Sequence, residues 1–310
     1  MAKLVVVNEN VEKEIPSDTK YCEELEDGNI LFFPKIPFPF LQQDIDFLLS
    51  QRQTGATNRK NIAYKPHLDK ITNFEKKSPD DAQRLHRIMK DYSNSVVQFL
   101  SSLLHPYAST WKLDYASFRP FQEKGRKLRL RARNDLLHTD AFPSRPMHGS
   151  RILRFFTNIN PTESRRWITS HAFKELAEEF GGTKELPFPK PIHDNLTQRL
   201  LRKTKRNMNH LGLPLTLRSP YDDFMLRLHH FLKENGTYQK DCPKDHWEFA
   251  PRSCWMVFTD NLTHAALAGQ YALEQTIIIP RSSLLKPENA PVSILERLMK
   301  TAMVDHIYTS

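Results

Sequence analysis

The chain has 310 residues, 39% hydrophobic and 10% aromatic, a composition that excludes intrinsic disorder and leaves room for one large domain or two small ones. A formal charge of +9 favours an anionic partner (nucleic acid, acidic lipid headgroups or an acidic small molecule), and nine glycines without GxGxxG or P-loop spacing argue against a nucleotide-binding α/β fold. No apolar run approaches a membrane span, the N-terminal apolar stretch turns acidic too soon for a secretory signal, and Cys22, Cys242 and Cys254 lack paired spacing, so a cytoplasmic protein with reduced thiols is expected.

In chain order, "GNILFFPKIPF" (28–38) reads as a short strand closed by prolines, and "LQQDIDFLLSQR" (41–52) has helical spacing. A longer helix starts at Ser78, a natural N-cap. Pro79 follows at the first helical position, and Asp80 and Asp81 sit where the helix dipole favours negative charge. The first 105 residues thus look mostly helical. From residue 112 the texture becomes β-like: "WKLDYASFRPF", "RKLRLRARNDLLH" and "SRILRFFTNIN" are short runs parted by turn signals. In the second, Arg129, Arg131 and Arg133 alternate with apolar residues, which fits a strand with a basic face. A basic, helical-looking middle follows in "SRRWITSHAFKELAEEF", "NLTQRLLRKTKRNMNH" and "SPYDDFMLRLHHFLKENG". Strands return at "SCWMVFTDNLTH" and "ALEQTIIIP", and "APVSILERLMKTAM" closes the chain as a helix.

The expected fold is α+β with a mainly β core: a jelly roll, or double-stranded β-helix, with N-terminal helices and a helical insertion. A helical bundle with a minor sheet is the alternative. The expected layout is a single domain with helical N-terminal support over 1–110, barrel strands over 111–160 and 250–282, a mostly helical insertion over 161–249 and a C-terminal helix over 283–310.

The stretch "NDLLHTDAFPSRP" (134–146) places His138 and Asp140 one residue apart at the end of an apolar run. One such triplet is expected by chance in a chain with 13 histidines, and His67-Leu68-Asp69 supplies one that reads as a surface pair. In a barrel, however, His-x-Asp at a strand end can turn both side chains to one metal, with a third ligand from a distant strand. Two imidazoles and one carboxylate are the donor set of a non-haem Fe(II) oxygenase, with positions left open for a keto acid and dioxygen. Among the later histidines, His148 lies too close, and His171, His210, His229 and His230 fall on helical patterns. His246 is in an irregular stretch; His264, between two strand-like runs and near Gly269, alone has the context of a strand-edge ligand.

"LLHTDAFPSRPMHGSRILRFFTNINP", taken with "RSCWMVFTDNLTHAALAGQYALEQTIIIP" and "GNILFFPKIPF", resembles the Kdo hydroxylase family of bacterial Fe(II)/2-oxoglutarate-dependent dioxygenases, over most of the chain. The resemblance implies that His138, Asp140 and His264 hold the iron and that the fold is the double-stranded β-helix. It also implies the reaction: hydroxylation at C3 of 3-deoxy-D-manno-oct-2-ulosonic acid (Kdo) in Kdo-lipid A, giving D-glycero-D-talo-oct-2-ulosonic acid. 2-Oxoglutarate would be the cosubstrate and ascorbate the reductant that keeps the iron ferrous.

Many 2-oxoglutarate enzymes carry a basic residue about ten positions after the distal histidine to grip the cosubstrate's far carboxylate. Here that region reads "ALEQT", with Glu274 and Gln275. Arg154, sharing a strand face with Phe156 and Asn158, is the expected replacement, because a guanidinium grips a carboxylate through two parallel hydrogen bonds. Its bland counterpart is a solvent-facing arginine on an edge strand. Arg119 is the next candidate, directed into the barrel and assigned to the substrate. Arg166 and Trp167 could pair a cation with an apolar platform for a sugar acid, or could be a helix start with its Trp in the core. Arg129, Arg131 and Arg133 either line the mouth or form a solvated face. The cluster Arg199, Arg202, Lys203, Lys205 and Arg206 is either a solvated helix face or a peripheral contact with anionic lipid on the inner membrane's cytoplasmic side. A basic nucleic-acid-binding module without catalysis is the competing class. The aromatics do not interleave with the bases as stacking platforms do, so no nucleic-acid partner is expected.

Overall fold

The computed structural model describes residues 2–7, 19–53, 61–75, 78–190 and 217–305. The basic cluster at 197–210, with Arg199, Arg202, Lys203, Lys205 and Arg206, lies outside them.

The chain runs through β1 (Leu4–Val6), α1 (Lys20–Glu26), β2 (Ile30–Phe33), α2 (Gln42–Ser50), β3 (Ile62–Lys65), β4 (Lys70–Thr72), α3 (Pro79–Leu103) and α4 (His105–Ala108). Then come β5 (Lys112–Arg119), β6 (Arg151–Asn158), β7 (Arg165–Ala172), α5 (Phe173–Phe180), α6 (Pro220–Glu234) and α7 (Gly236–Asp241). The last elements are β8 (Asp245–Phe249), β9 (Cys254–Phe258), β10 (Leu262–Ala268), β11 (Ala272–Ile279) and α8 (Pro291–Met299). An eight-stranded sheet in the order β1-β2-β9-β6-β11-β5-β3-β4 faces a three-stranded sheet in the order β10-β7-β8, the two layers of a jelly roll.

Period-two alternation decides what each central strand presents. On β6, Leu153 and Phe155 belong to the outer core with α3, where Phe99 meets Phe155 and the Tyr92 hydroxyl meets the Thr157 hydroxyl at 3.1 Å. The alternate residue Phe156 faces inward and packs edge-on against Trp167 of β7, with ring centroids 4.8 Å apart. On β11 the alternation is equally plain. Gln275 turns outward to the Ser93 hydroxyl of α3, while Glu274 turns inward to Arg119 of β5. Helix α3 lies where its signals place it: Ser78 Oγ accepts from the Asp81 N–H, and Leu85, Met89, Tyr92, Val96 and Leu103 form its buried stripe.

Several expectations are corrected. Residues 126–138 form no strand; Leu130–Ala132 is a 3-10 turn with Leu130 exposed. An alternating pattern makes a strand only where a neighbour pairs with it and buries its apolar half. Residues 165–172 are strand and not helix, because β10 and β8 flank the segment and its aromatic and β-branched residues, Trp167, Ile168 and Thr169, fill that site. The stretch assigned to a helical insertion therefore also holds the central strand of the minor sheet and β8. The N-terminal third is less helical than its composition suggests, since β1, β2, β3 and β4 extend the major sheet at both edges.

Candidate metal centre

His138 precedes β6 by a loop and belongs to no named strand, yet its backbone pairs with that of His264 on β10. His138 N–H donates to His264 O at 3.1 Å, and His264 N–H donates to His138 O at 3.0 Å. Two residues on, the Asp140 N–H donates to Thr259 O at 2.8 Å, anchoring the segment to the turn between β9 and β10. That turn is itself held by a fully buried pair in which Arg151 Nε lies 2.8 Å from Asp260 Oδ2 and the guanidinium rests 4.0 Å over the Phe258 ring. Backbone pairing thus forces side chains 124 to 126 positions apart in sequence onto one spot.

The three donor groups are buried, and their ligand atoms all lie within 4.8 Å of one another. His138 Nε2 is 3.8 Å from Asp140 Oδ1, and His264 Nε2 is 4.0 Å from Asp140 Oδ2. Each imidazole has its other nitrogen committed: His138 Nδ1 donates to Leu136 O at 2.7 Å and His264 Nδ1 to Leu262 O at 3.0 Å. A carbonyl can only accept, so both Nε2 atoms carry their lone pairs toward the aspartate. Burial pushes both histidines below their ordinary pKa, which keeps these lone pairs free. Burial would raise Asp140, but the Arg154 guanidinium, with the facing imidazoles, holds it well below the usual carboxylate range. Oδ2 of Asp140, 3.1 Å from Arg154 Nε, nevertheless makes no hydrogen bond among the described residues. Two aimed imidazole nitrogens and an unbonded buried carboxylate oxygen fit a divalent transition metal.

A cavity of about 250 Å³ opens beside the trio. The major sheet contributes Arg119, Arg154 and Phe156 to its wall, and the minor sheet contributes Trp167 and Ala266. Arg154 points inward as its period predicts, and its Nη1 lies 3.4 Å from Glu274 Oε1. Arg119 is also inward, 2.7 Å from Glu274 Oε2 and 3.5 Å from Glu123 Oε1. Trp167 lies on a strand and not at a helix start; it packs in the inter-sheet core, lines the cavity and stacks on the His264 ring at 5.2 Å and 18°. Arg166 is a correction. Its neighbours on the strand face inward, so it points out, its side chain 63% exposed and 4.0 Å from Glu248, away from the cavity. Arg131 reaches the rim and pairs with Glu234, whereas Arg133 pairs with Asp135 off the cavity and Arg129 does not line it. His67 and Asp69 are exposed, with Asp69 bound by Lys90, as a surface pair should be.

Sequence reasoning missed His229 and Lys233 on α6, both of which line the cavity. His229 Nδ1 lies 2.7 Å from Thr139 O, and its ring sits edge-on to His138 with centroids 5.0 Å apart. Their i, i+4 spacing put them on one helix face, but nothing local says which way that face turns.

A family model described as 3-deoxy-D-manno-oct-2-ulosonic acid (Kdo) hydroxylase matches residues 8–302. No curated protein sequence matches. Among solved structures, the chain is similar to crystal structures of the Kdo hydroxylase KdoO, described as a non-heme Fe(II) alphaketoglutarate dependent dioxygenase. To the cobalt(II) complex it is 33% identical, with a TM-score of 0.81 and 98% of each chain covered. To the complex with alphaketoglutarate and Fe(III) it is 34% identical, with a TM-score of 0.80 and 97% of each chain covered. The apo form gives 33%, 0.81 and 97%.

Proposed function

The chain belongs to the Kdo hydroxylase family of Fe(II)/2-oxoglutarate-dependent dioxygenases, and from that premise we propose that it hydroxylates C3 of Kdo in Kdo-lipid A, with His138, Asp140 and His264 as the iron ligands. The observation that carries this reading is the buried His-Asp-His trio with both Nε2 lone pairs and one unbonded carboxylate oxygen turned to a common point. The nucleic-acid alternative drops out with the family assignment.

Bound Fe(II) with 2-oxoglutarate supplies the activation of dioxygen, with loss of CO₂ from the cosubstrate and delivery of one oxygen atom to the sugar carbon. The protein's own residues do the rest. Leu136 O and Leu262 O orient the two imidazoles, and Trp167 holds the His264 ring plane by stacking. Arg154 meets the far carboxylate of 2-oxoglutarate, and Arg119, braced by Glu274, completes the positive wall. The apolar lining from Phe156, Trp167 and Ala266 limits water near the reacting carbon. Ascorbate serves as the reductant.

Kdo-lipid A is membrane-bound, and among the described residues no helix is long and apolar enough to cross a membrane. Peripheral contact of the cationic chain with anionic inner-membrane lipid then brings enzyme and substrate together on the cytoplasmic side. Co-sedimentation with liposomes checks this: binding should rise with anionic lipid, and equal binding to neutral vesicles would remove it.

The central test is anaerobic reconstitution with Fe(II) and 2-oxoglutarate, then oxygen, with mass spectrometry of Kdo-lipid A. A gain of one oxygen atom on the sugar is expected, lost in His138→Ala and Asp140→Ala. An unmodified sugar with wild-type protein fully loaded with iron would overturn the reading.

A further inference from the structure

The cavity holds an unbalanced cation. Arg119 and Arg154 are ion-paired with Glu274, and Arg131 with Glu234. Lys233 is 4% exposed, yet among the described residues its ammonium has no ion pair and makes one hydrogen bond, to Arg131 O at 3.1 Å. Burial pushes it down to about 8, and the carboxylates that raise it, Asp140 and Asp135, act through charge alone, without a hydrogen bond. An ammonium out of water with two donors unused is costly unless an anion arrives to meet it.

Two anions enter a Kdo hydroxylase site: the dicarboxylate cosubstrate and the sugar acid. The cavity separates its cations accordingly. Arg119 and Arg154 project from the major sheet, their side chains only 10% and 12% exposed, and both lie in one network with Glu274. Lys233 comes instead from α6, and its hydrogen bond ties it to the backbone of Arg131, whose 58%-exposed side chain marks the open rim. A sugar carried on a lipid can enter only from the rim, so its acid group meets the α6 wall first. In Kdo the carboxylate is borne by C2, next to the carbon that reacts. The group that grips it must therefore line the same cavity as the metal trio, as Lys233 does, within electrostatic reach of Asp140, His138 and His264.

We infer that Lys233 is the residue that binds the substrate's sugar-acid carboxylate, so that α6 and not the barrel wall sets the position of the reacting carbon. The inference rests on the reading that a sugar acid is the substrate. His229, one turn earlier on the same face and pinned by Thr139 O, positions this part of α6 against the metal-binding segment.

The test compares wild type with Lys233→Met, which keeps the aliphatic stem and removes the charge. Binding of free Kdo to the Co(II)-loaded protein in the presence of 2-oxoglutarate is measured by calorimetry, and turnover on Kdo-lipid A separately. Kdo affinity should fall about 10- to 100-fold and KM rise in parallel, with kcat less affected. 2-Oxoglutarate affinity, read from anaerobic titration of the Fe(II) protein, should be unchanged. The methyl ester of Kdo, which lacks the charge, should bind both proteins alike. Without ligand the variant should melt no lower than wild type, because among the described residues the lost cation made no ion pair. Loss of 2-oxoglutarate affinity with Kdo binding intact would assign Lys233 to the cosubstrate and overturn the inference, as would a destabilised variant with unchanged Kdo affinity. Wild-type protein that neither binds nor hydroxylates Kdo would instead remove the substrate reading on which the inference rests.

Discussion

At the scale of single residues, the interior charges matter most. Glu123 is 4% exposed and faces three guanidinium groups, 3.2 Å from Arg165, 3.5 Å from Arg119 and 3.2 Å from Arg126. Burial alone would raise its pKa, but Arg165, Arg119 and Arg126 together bring it below the ordinary 4.5. Since the folded value lies below the unfolded one, the ionised form stabilises the fold. That contribution is complete above about 4.5 and is lost as pH falls through the lower folded value. Glu274 behaves the same way: burial opposes its ionisation, and Arg154 and Arg119 overcome it. Glu123→Gln should therefore cost about 3–5 kcal/mol at neutral pH by leaving buried arginines short of a partner. The acid limb of its denaturation curve should be shallower than that of wild type, as checked by urea melts across pH. A second residue-level expectation concerns Arg154. Arg154→Lys should raise the KM for 2-oxoglutarate about tenfold or more, because an ammonium cannot form the paired bonds of a guanidinium, and a titration of cosubstrate against turnover reads it directly.

At the scale of elements, α6 shows how a cap can serve a distant loop. Ser219 Oγ donates to Asp222 Oδ2 at 2.6 Å, and the Ser219 N–H does so at 2.9 Å, closing a capping box at the helix start. The other oxygen, Oδ1, accepts the Met147 N–H at 2.7 Å and the His148 N–H at 3.1 Å, in the loop that follows Asp140. One carboxylate thus fixes both the helix carrying Lys233 and the loop leading away from Asp140 of the candidate metal centre. Asp222→Ala should cost about 2–3 kcal/mol, well beyond the roughly 1 kcal/mol of an ordinary cap loss. Ser78→Ala, which removes only the α3 cap, should cost about 1 kcal/mol and leave activity alone. Denaturant midpoints for the two variants give the comparison. The α3 cap was legible because Ser-Pro-Asp-Asp is a local signal. The strand at 165–172 was not, because its state is set by β10 and β8, some eighty to a hundred residues downstream.

For the whole molecule, metal binding and stability are one equilibrium. An ion that binds the folded trio and not the unfolded chain stabilises by about 2.7 kcal/mol at a hundred times its dissociation constant. Adding Co(II) to metal-free protein should raise the Tm, a chelator should reverse the shift, and Asp140→Ala should abolish it. Scanning calorimetry with and without metal is the measurement. The shift belongs to this scale because backbone pairing between His138 and His264 already joins the segment before β6 to the minor sheet, and an ion held by the trio would add a second tie between them.

The amino-acid sequence by itself determined the elements whose signals are short-ranged: β6 and β11 as short apolar β-type runs, α3 by its cap, and β2 by its closing proline. With the family likeness, it also singled out His138, Asp140 and His264 as a ligand set and Arg154 as a candidate for the cavity wall, while the solvent-facing alternative for Arg154 was excluded only by the fold. Only the tertiary structure decided that residues 126–138 form no strand, that Arg166 faces solvent, and that Lys233 is buried in the wall of the cavity with no ion pair among the described residues. Hydropathy records a side chain's preference for water, whereas the burial of a charge is settled by partners that reach it from distant parts of the fold.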